Sequence, residues 1–239
     1  MVKKVLRRLE RRHVDDNLKW LEENAVSFEE TVGSISPSLW QEAREASGAI
    51  DLSAQKKLRA LPVQLGGGGA TPYLYYLTRL KKPQVIVETG VAAGFSSQAF
   101  LEALEKNGFG RLFSSDFPYF RIADPEKYIG CIVDEHLKAR WSLRIEGDDS
   151  NIPAIVSEVD RIDLFHYDSD KSYTGRASAM DRVKPLLSEE SIVVMDDIQD
   201  NSYFKDLVER EDPSSWKVFR YGDKFVGLIG RLSPLGAAQ

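Results

Sequence analysis

Apolar positions follow two rhythms along this chain. From residue 84 onward, short runs rich in Val, Ile, Leu and Phe alternate with stretches in which apolar residues return every three or four positions. The first rhythm predicts buried strands and the second amphipathic helices. "QVIVETG", "RLFSSD", "WSLRIEGD", "IDLFHYD" and "SIVVMDD" read as strands, and between them "SSQAFLEALEKNG", "PEKYIGCIVDEHLKAR", "SNIPAIVSEV" and "TGRASAMDRVKPLL" read as helices. Strand followed by helix, repeated, predicts a doubly wound α/β fold: a mostly parallel sheet with helices on both faces. The closing "WKVFRYGDKFVGLIG" differs, since two apolar runs flank "YGDK" and predict a hairpin with an antiparallel edge.

Before residue 60 the pattern is helical and heavily charged. Val2, Val5, Leu6 and Leu9 recur at helical spacing between Lys3, Lys4, Arg7, Arg8, Arg11 and Arg12. That stripe suits either a basic membrane-surface helix or, the reading preferred here, a solvated helix packing on its own protein or a partner subunit. Leu18, Leu21, Phe28 and Trp40 predict further short helices, broken at "GSISPS". We therefore divide the chain into an N-terminal helical extension (1–60), a lid or oligomerisation element, and a main domain (61–239). At the junction, "LGGGGATPYLYYLTRL" offers Thr71 as an N-cap and Pro72 as the first helical residue. The four glycines before them read equally as a ligand-approach hinge and as a plain connector.

Composition narrows the function. The chain has 239 residues, 32 Lys and Arg against 37 Asp and Glu, one cysteine and three histidines. A net charge of −5 gives no general reason to expect nucleic acid, and Cys131 alone excludes an internal disulfide and disfavours a Cys/His zinc site. No apolar run approaches the roughly 18 residues of a membrane span, and the N-terminus lacks the apolar core of a secretory signal, so a cytoplasmic protein acting on a small molecule is expected.

The chemistry should lie where the strands end. In open α/β sheets ligands bind outside the carboxyl ends of the strands. Glu88 and Gly90, Asp116, Gly147 and Asp148, Asp168 and Asp170, and Asp196 and Asp197 all fall there. Five acidic strand ends converging on one edge would repel one another unless cations lie among them. "ETGVAAGFSS" turns from strand to helix, with Gly90 and Gly94 allowing close backbone approach and Ser96 near a helix N-terminus suited to a carboxylate or phosphate. It is not the G-x-G-x-x-G fingerprint, which counts against a nicotinamide enzyme. Asp116, 28 residues after Glu88, reads as a ribose acceptor or as a solvated turn carboxylate.

Over residues 65–230 the sequence resembles the class I S-adenosylmethionine-dependent methyltransferases, and within them the cation-dependent O-methyltransferases. "VETGVAAGFSS" is similar to their cofactor loop, "YDSDKSY" to the D-x-D-K-x-x-Y-type segment of caffeoyl-coenzyme A-like enzymes, and "VMDDI" to the acidic pair that completes the metal site. The resemblance implies a seven-stranded Rossmann-like sheet ending in an antiparallel hairpin. It implies that Ser96 meets the methionine carboxylate, Asp116 the ribose, and Gly147 with Asp148 the adenine region, while Glu88, Gly90, Gly94 and Asp168 complete the cofactor set. Asp168, Asp196 and Asp197 would hold the metal. Three carboxylates make a hard oxygen site, which agrees with Mg²⁺, or with Ca²⁺ or Mn²⁺.

The implied reaction is in-line methyl transfer from the sulfonium to a hydroxyl of a small acceptor, phenolic or of the sugar and natural-product kind. Metal coordination acidifies and positions that hydroxyl. Its proton goes to Lys171, if metal and sulfonium favour the neutral amine, or to Asp170; the motif supplies both. Lys171 reads otherwise as a counter-charge for the acidic cluster, and Asp197 otherwise as a cap for the next segment. Asp197 stands where catechol-type relatives often carry asparagine, which leans toward the sugar and macrolide enzymes. Tyr173 and His166 read as packing residues, and the aromatic stretch Phe117, Tyr119, Phe120 and Tyr128 as adenine or acceptor wall or as core. The family's habit implies a homo-oligomer, a dimer formed through the N-terminal helices. Two other readings remain: a non-methylating relative, hydroxylase-like or cofactor-sensing, and a nicotinamide-dependent oxidoreductase.

Overall fold

The structure, a computed structural model, describes residues 15–118, 122–213 and 215–232. The Val2 to Leu9 stripe, Tyr119 and Phe120 lie outside the described residues. Residues 15–24 are helical (α1), and β1 (Ala25–Val26), α2 (Phe28–Thr31) and α3 (Pro37–Arg59) follow. Then come α4 (Thr71–Lys81), β2 (Val85–Thr89), α5 (Phe95–Asn107), β3 (Arg111–Ser115) and β4 (Trp141–Arg144). The remainder is α6 (Asp148–Glu158), β5 (Ile162–Tyr167), α7 (Tyr173–Val183), β6 (Leu187–Met195), α8 (Tyr203–Glu211), β7 (Trp216–Tyr221) and β8 (Lys224–Ile229).

The expected doubly wound fold is present. Strands run in the order β1-β7-β8-β6-β5-β2-β3-β4. β2 is flanked by β3 and β5, both parallel to it, so the chain winds outward one way through β4 and then returns to wind the other way. The crevice between the β2 and β5 exits is the topological switch point, where a ligand fits. Alternate strand residues feed two cores: Ile86, Leu112, Leu164 and Ile192 face α3, α4 and α5, whereas Val87, Phe113, Phe165 and Val193 face α6, α7 and α8. Such two-sided burial is why these strands read as unbroken apolar runs.

Two features differ from expectation. The sheet has eight strands, because the two-residue β1 pairs parallel to β7 and forms that edge. β8 inserts between β6 and β7, antiparallel to both, so the antiparallel strand is internal. Its first residue, Lys224, therefore emerges at the edge where the parallel strands end. The second difference is 125–140, predicted helical, which forms only 3-10 turns at Pro125–Tyr128 and Glu135–Arg140. Gly130 takes φ +64°, and the amides of Gly130 and Ile132 donate to the carbonyls of Ala92 and Ala93 at 2.8 and 3.1 Å. Those amides are committed to the loop after β2 and cannot also build a helical ladder.

Residues 15–60 contribute core. Trp40, Ala43, Ser47, Ile50 and Ala54 line one buried stripe of α3, and Phe28 stacks on Tyr73 with ring centroids 4.0 Å apart. α4 begins at Thr71, one residue earlier than the capping pattern predicts, with Ala70 as its cap and the Thr71 hydroxyl donating to the Gly69 carbonyl at 2.9 Å.

Candidate cofactor and metal site

At the switch point the strand exits wall a cleft of about 640 Å³, lined by Gly90, Asp116, Phe117, Asp148, Asp168 and Ser169 among others. That volume suits a nucleoside-sized ligand. Gly90 ends β2 with φ +78°, and a Cβ there would collide with the Asp168 carbonyl. The close approach of the chain after β2 to the chain after β5 thus requires glycine. Deeper in, a void of about 40 Å³ is bounded by Gly68, Gly69, Phe95, Ser96, Asp168 and Asp196. Gly94 caps α5, so Ser96 sits in the first turn of that helix, where free amides favour an anion.

The acids on the β2–β3 side are occupied by neutral donors. Asp116 Oδ2 accepts from the amides of Val91 at 3.0 Å and Ala92 at 2.6 Å, and its Oδ1 from the Phe117 amide at 2.6 Å. Burial raises its pKa, and these amides oppose the rise. Asp116 therefore holds the loop after β2 in shape while it faces the cleft. Asp148 opens α6 after Gly147 and accepts from the hydroxyls of Ser115 (2.6 Å) and Ser169. Glu88 turns inward, away from the cleft. It is fully buried, and its Oε2 accepts from Ser97 and Ser114 at 2.6 and 2.7 Å. Its Oε1 has no partner and lies 3.9 Å from the unpartnered Nδ1 of buried His166. Burial pushes Glu88 up to about 7 and His166 down to about 4.

The β5–β6 side is different. Asp168, Asp196 and Asp197 each offer a carboxylate oxygen within 4.8 Å of the other two. Asp168 follows the last residue of β5, and Asp196 and Asp197 follow β6, so strand pairing itself brings the three together: the Asp196 amide donates to the Tyr167 carbonyl at 3.0 Å. Asp197 adopts φ +52°, the left-handed region, which turns its side chain back toward the cluster. Buried Arg176 fixes that turn by donating to the Asp197 carbonyl at 2.9 Å.

Two ammonium groups lie in the cluster. Lys171 Nζ pairs with Asp168 and stands 3.0 Å from Asp197 Oδ2, and Lys224 Nζ stands 3.0 Å from Asp197 Oδ1 and 3.9 Å from Asp196 Oδ2. Burial raises the pKa of Asp168, and it raises that of Asp196, which the neighbouring carboxylates push further. Burial acts in the same sense on Asp197, but the two lysines outweigh it and leave that carboxyl below its usual range. One atom has no partner: Asp196 Oδ1, on a residue only 3% exposed. A buried carboxylate oxygen left bare beside two other carboxylates is a donor set that fits a divalent cation.

Asp170 faces away from this cluster. Its carboxylate accepts from the Ser172 amide at 2.9 Å and hydroxyl at 2.8 Å, at the start of α7. Tyr173 packs edge-on against Tyr203, 5.1 Å away. The glycine run is folded onto the site, since a Cβ on Gly69 would stand 2.7 Å from Asp196 Oδ2. Sequence reasoning missed Lys224 and Arg176. Only the antiparallel insertion of β8 could have signalled the first. A further cavity, about 510 Å³, opens at the opposite end of the strands between α7, α8 and β6, away from the strand-exit acids.

A parallel sheet with this strand order, a glycine-rich turn after its central strand and an acidic exit edge define a class I methyltransferase fold. Residues 87–198 match the family model described as a methyltransferase domain, a stretch running from β2 through Asp197. That match agrees with the resemblance carried by the motifs and marks this stretch as a methyltransferase domain. Solved structures share the fold at low identity. A methyltransferase from Geobacter sulfurreducens is 16% identical, with 77% of this chain and 90% of that one covered at a TM-score of 0.57. The O-methyltransferase TomG from Streptomyces achromogenes, involved in tomaymycin synthesis and solved with S-adenosylmethionine, is 16% identical over 78% and 89%, TM-score 0.56. A Bacillus cereus O-methyltransferase solved with S-adenosylhomocysteine is 16% identical over 88% and 100%, TM-score 0.53. No curated protein matches the sequence. Among the described residues no helix is long and apolar enough to cross a membrane.

Proposed function

We propose that the protein transfers a methyl group from S-adenosylmethionine to a hydroxyl of a small molecule with the help of a divalent cation, Mg²⁺ being the natural candidate. The observation that carries this reading is the bare, buried Asp196 Oδ1 between Asp168 and Asp197 at the switch-point crevice. When bound, the cation would acidify the acceptor hydroxyl and fix its approach. The cleft beside Asp116, Asp148 and Phe117 would take the adenosyl part, and the first turn of α5 with Ser96 the methionine carboxylate. As the methyl carbon leaves sulfur for the acceptor oxygen, the hydroxyl proton passes to a protein base. Lys171 is placed for that role as the neutral amine that a bound metal and sulfonium would favour, having released its own proton to solvent, whereas Asp170 is engaged by Ser172. The same reading takes residues 1–60 as a lid or oligomerisation element and the active species as a homo-oligomer.

Calorimetric titration with S-adenosylhomocysteine and with Mg²⁺ tests the proposal. Wild type should bind both, and the double variant Asp168→Ala, Asp196→Ala should lose metal affinity by at least about a hundredfold while still binding the nucleoside. Metal binding that survives both substitutions sinks the site. Wild-type binding of the nucleoside without any metal, and with no transfer to hydroxylated acceptors, would instead favour the non-methylating relative.

A further inference from the structure

Lys224 has no place in the reaction just described, yet its ammonium sits in the acidic cluster. It arrives there because β8 runs antiparallel to β6, which brings the first residue of β8 beside the two aspartates that follow β6. Both oxygens of Asp197 are held: Lys224 Nζ stands 3.0 Å from Oδ1 and donates to Oδ2 at 3.3 Å, and Lys171 Nζ stands 3.0 Å from Oδ2. A cation coordinated by Asp197 must therefore take an oxygen from one of the lysines. Lys171 is the better anchored, since its ammonium also holds the Asp168 carboxylate and, at 3.2 Å, the Asp168 carbonyl, and its own carbonyl accepts from Asn201 at 2.7 Å. Lys224 has a side chain 41% exposed at the end of a two-residue turn. Asp197 would keep its orientation without Lys224, because Gln199 donates to its Oδ1 at 3.1 Å and is itself fixed by the Phe225 amide at 2.9 Å.

We propose that Lys224 is the built-in counter-cation of the Asp168, Asp196 and Asp197 cluster, and that a divalent cation binds by displacing its ammonium into solvent. The inference rests on the metal reading above and adds to it: Lys224 sets the affinity of the site, keeping it balanced in charge when no metal is present. Two positive groups cannot share the Asp197 carboxylate without repulsion, so the lysine penalises whatever replaces it.

The test is calorimetric titration of Mg²⁺, with Mn²⁺ as a second probe, into wild type, Lys224→Met, Lys224→Gln and Lys224→Arg, with S-adenosylhomocysteine affinity measured on each as a check of fold. The neutral variants should bind metal more tightly, by about tenfold once solvent screening of a half-exposed ammonium is allowed for, and Lys224→Arg should stay near wild type. Equal metal affinity in wild type and both neutral variants overturns the inference and leaves the metal site standing. Absence of metal binding in all four, with the nucleoside still bound, removes the metal reading and this inference together.

Discussion

The two halves of the strand-exit edge neutralise acid in opposite ways. On the β2–β3 side, Asp116 and Asp148 give their oxygens to amides and hydroxyls, five such bonds in all, and need no cation. On the β5–β6 side, Asp168, Asp196 and Asp197 meet two ammonium groups, and one buried oxygen meets nothing. The repulsion expected of five acidic strand ends therefore falls on one cluster of three. An acid solvated by fixed neutral dipoles shapes a loop. An acid held by mobile ammonium groups can exchange them for a metal.

Removing Asp116 should separate the halves most clearly. Asp116→Ala strips three amides of their acceptor and loosens the turns that follow β2 and β3, so S-adenosylhomocysteine affinity should fall by about a hundredfold. Metal affinity should change by no more than about threefold, since this carboxylate is outside the cluster of three. A parallel loss of both affinities in calorimetry would show that the edge is one coupled unit.

A smaller effect is expected from Gly69, the member of the glycine run whose missing Cβ faces Asp196 in the metal half. Gly69→Val puts a side chain where Asp196 Oδ2 already lies 2.7 Å from the Cβ position, and metal affinity should drop by about tenfold as the carboxylate is pushed aside. Gly66→Ala, where nothing lies within 4 Å, is the matched control and should be silent. If the two variants titrate alike, the run is a plain connector.

The sequence was most readable where local pattern and fold agree. The strands and the three aspartates were legible because β-branched runs end at polar residues, and a doubly wound sheet brings every such end to one edge. Lys224 was illegible because its position depends on β8 inserting antiparallel beside β6, a pairing no local pattern announces. Segment 125–140 failed for the complementary reason: its helical periodicity is real, but the carbonyls of Ala92 and Ala93 compete for its amides. Glu88 failed through direction alone. It lies at a strand end as predicted, but strand alternation turns its side chain into the core.

That inward turn supplies the mildest test, which leaves both ligand sites intact and touches only the pH dependence of stability. Glu88 is an acid on the neutral-donor side whose pKa burial pushes up to about 7 from 4.5. A raised carboxyl contributes stability that is fully present below pH 4.5 and is lost as pH rises through 7. His166 beside it, lowered from 6.5 to about 4, has the opposite slope: its contribution is present above pH 6.5 and is lost as pH falls through 4. The two slopes oppose one another where they overlap, so wild-type stability should vary little there. Glu88→Gln copies the shape of the protonated acid and removes only the Glu88 slope. Urea denaturation between pH 4.5 and 7.5 should show the variant gaining on wild type by on the order of 1 kcal/mol as pH rises, below the ~3 kcal/mol ceiling that a full shift of this size allows. Parallel curves would mean that Glu88 ionises inside the fold without cost, and the β2–β3 half would then hold a buried charge of its own.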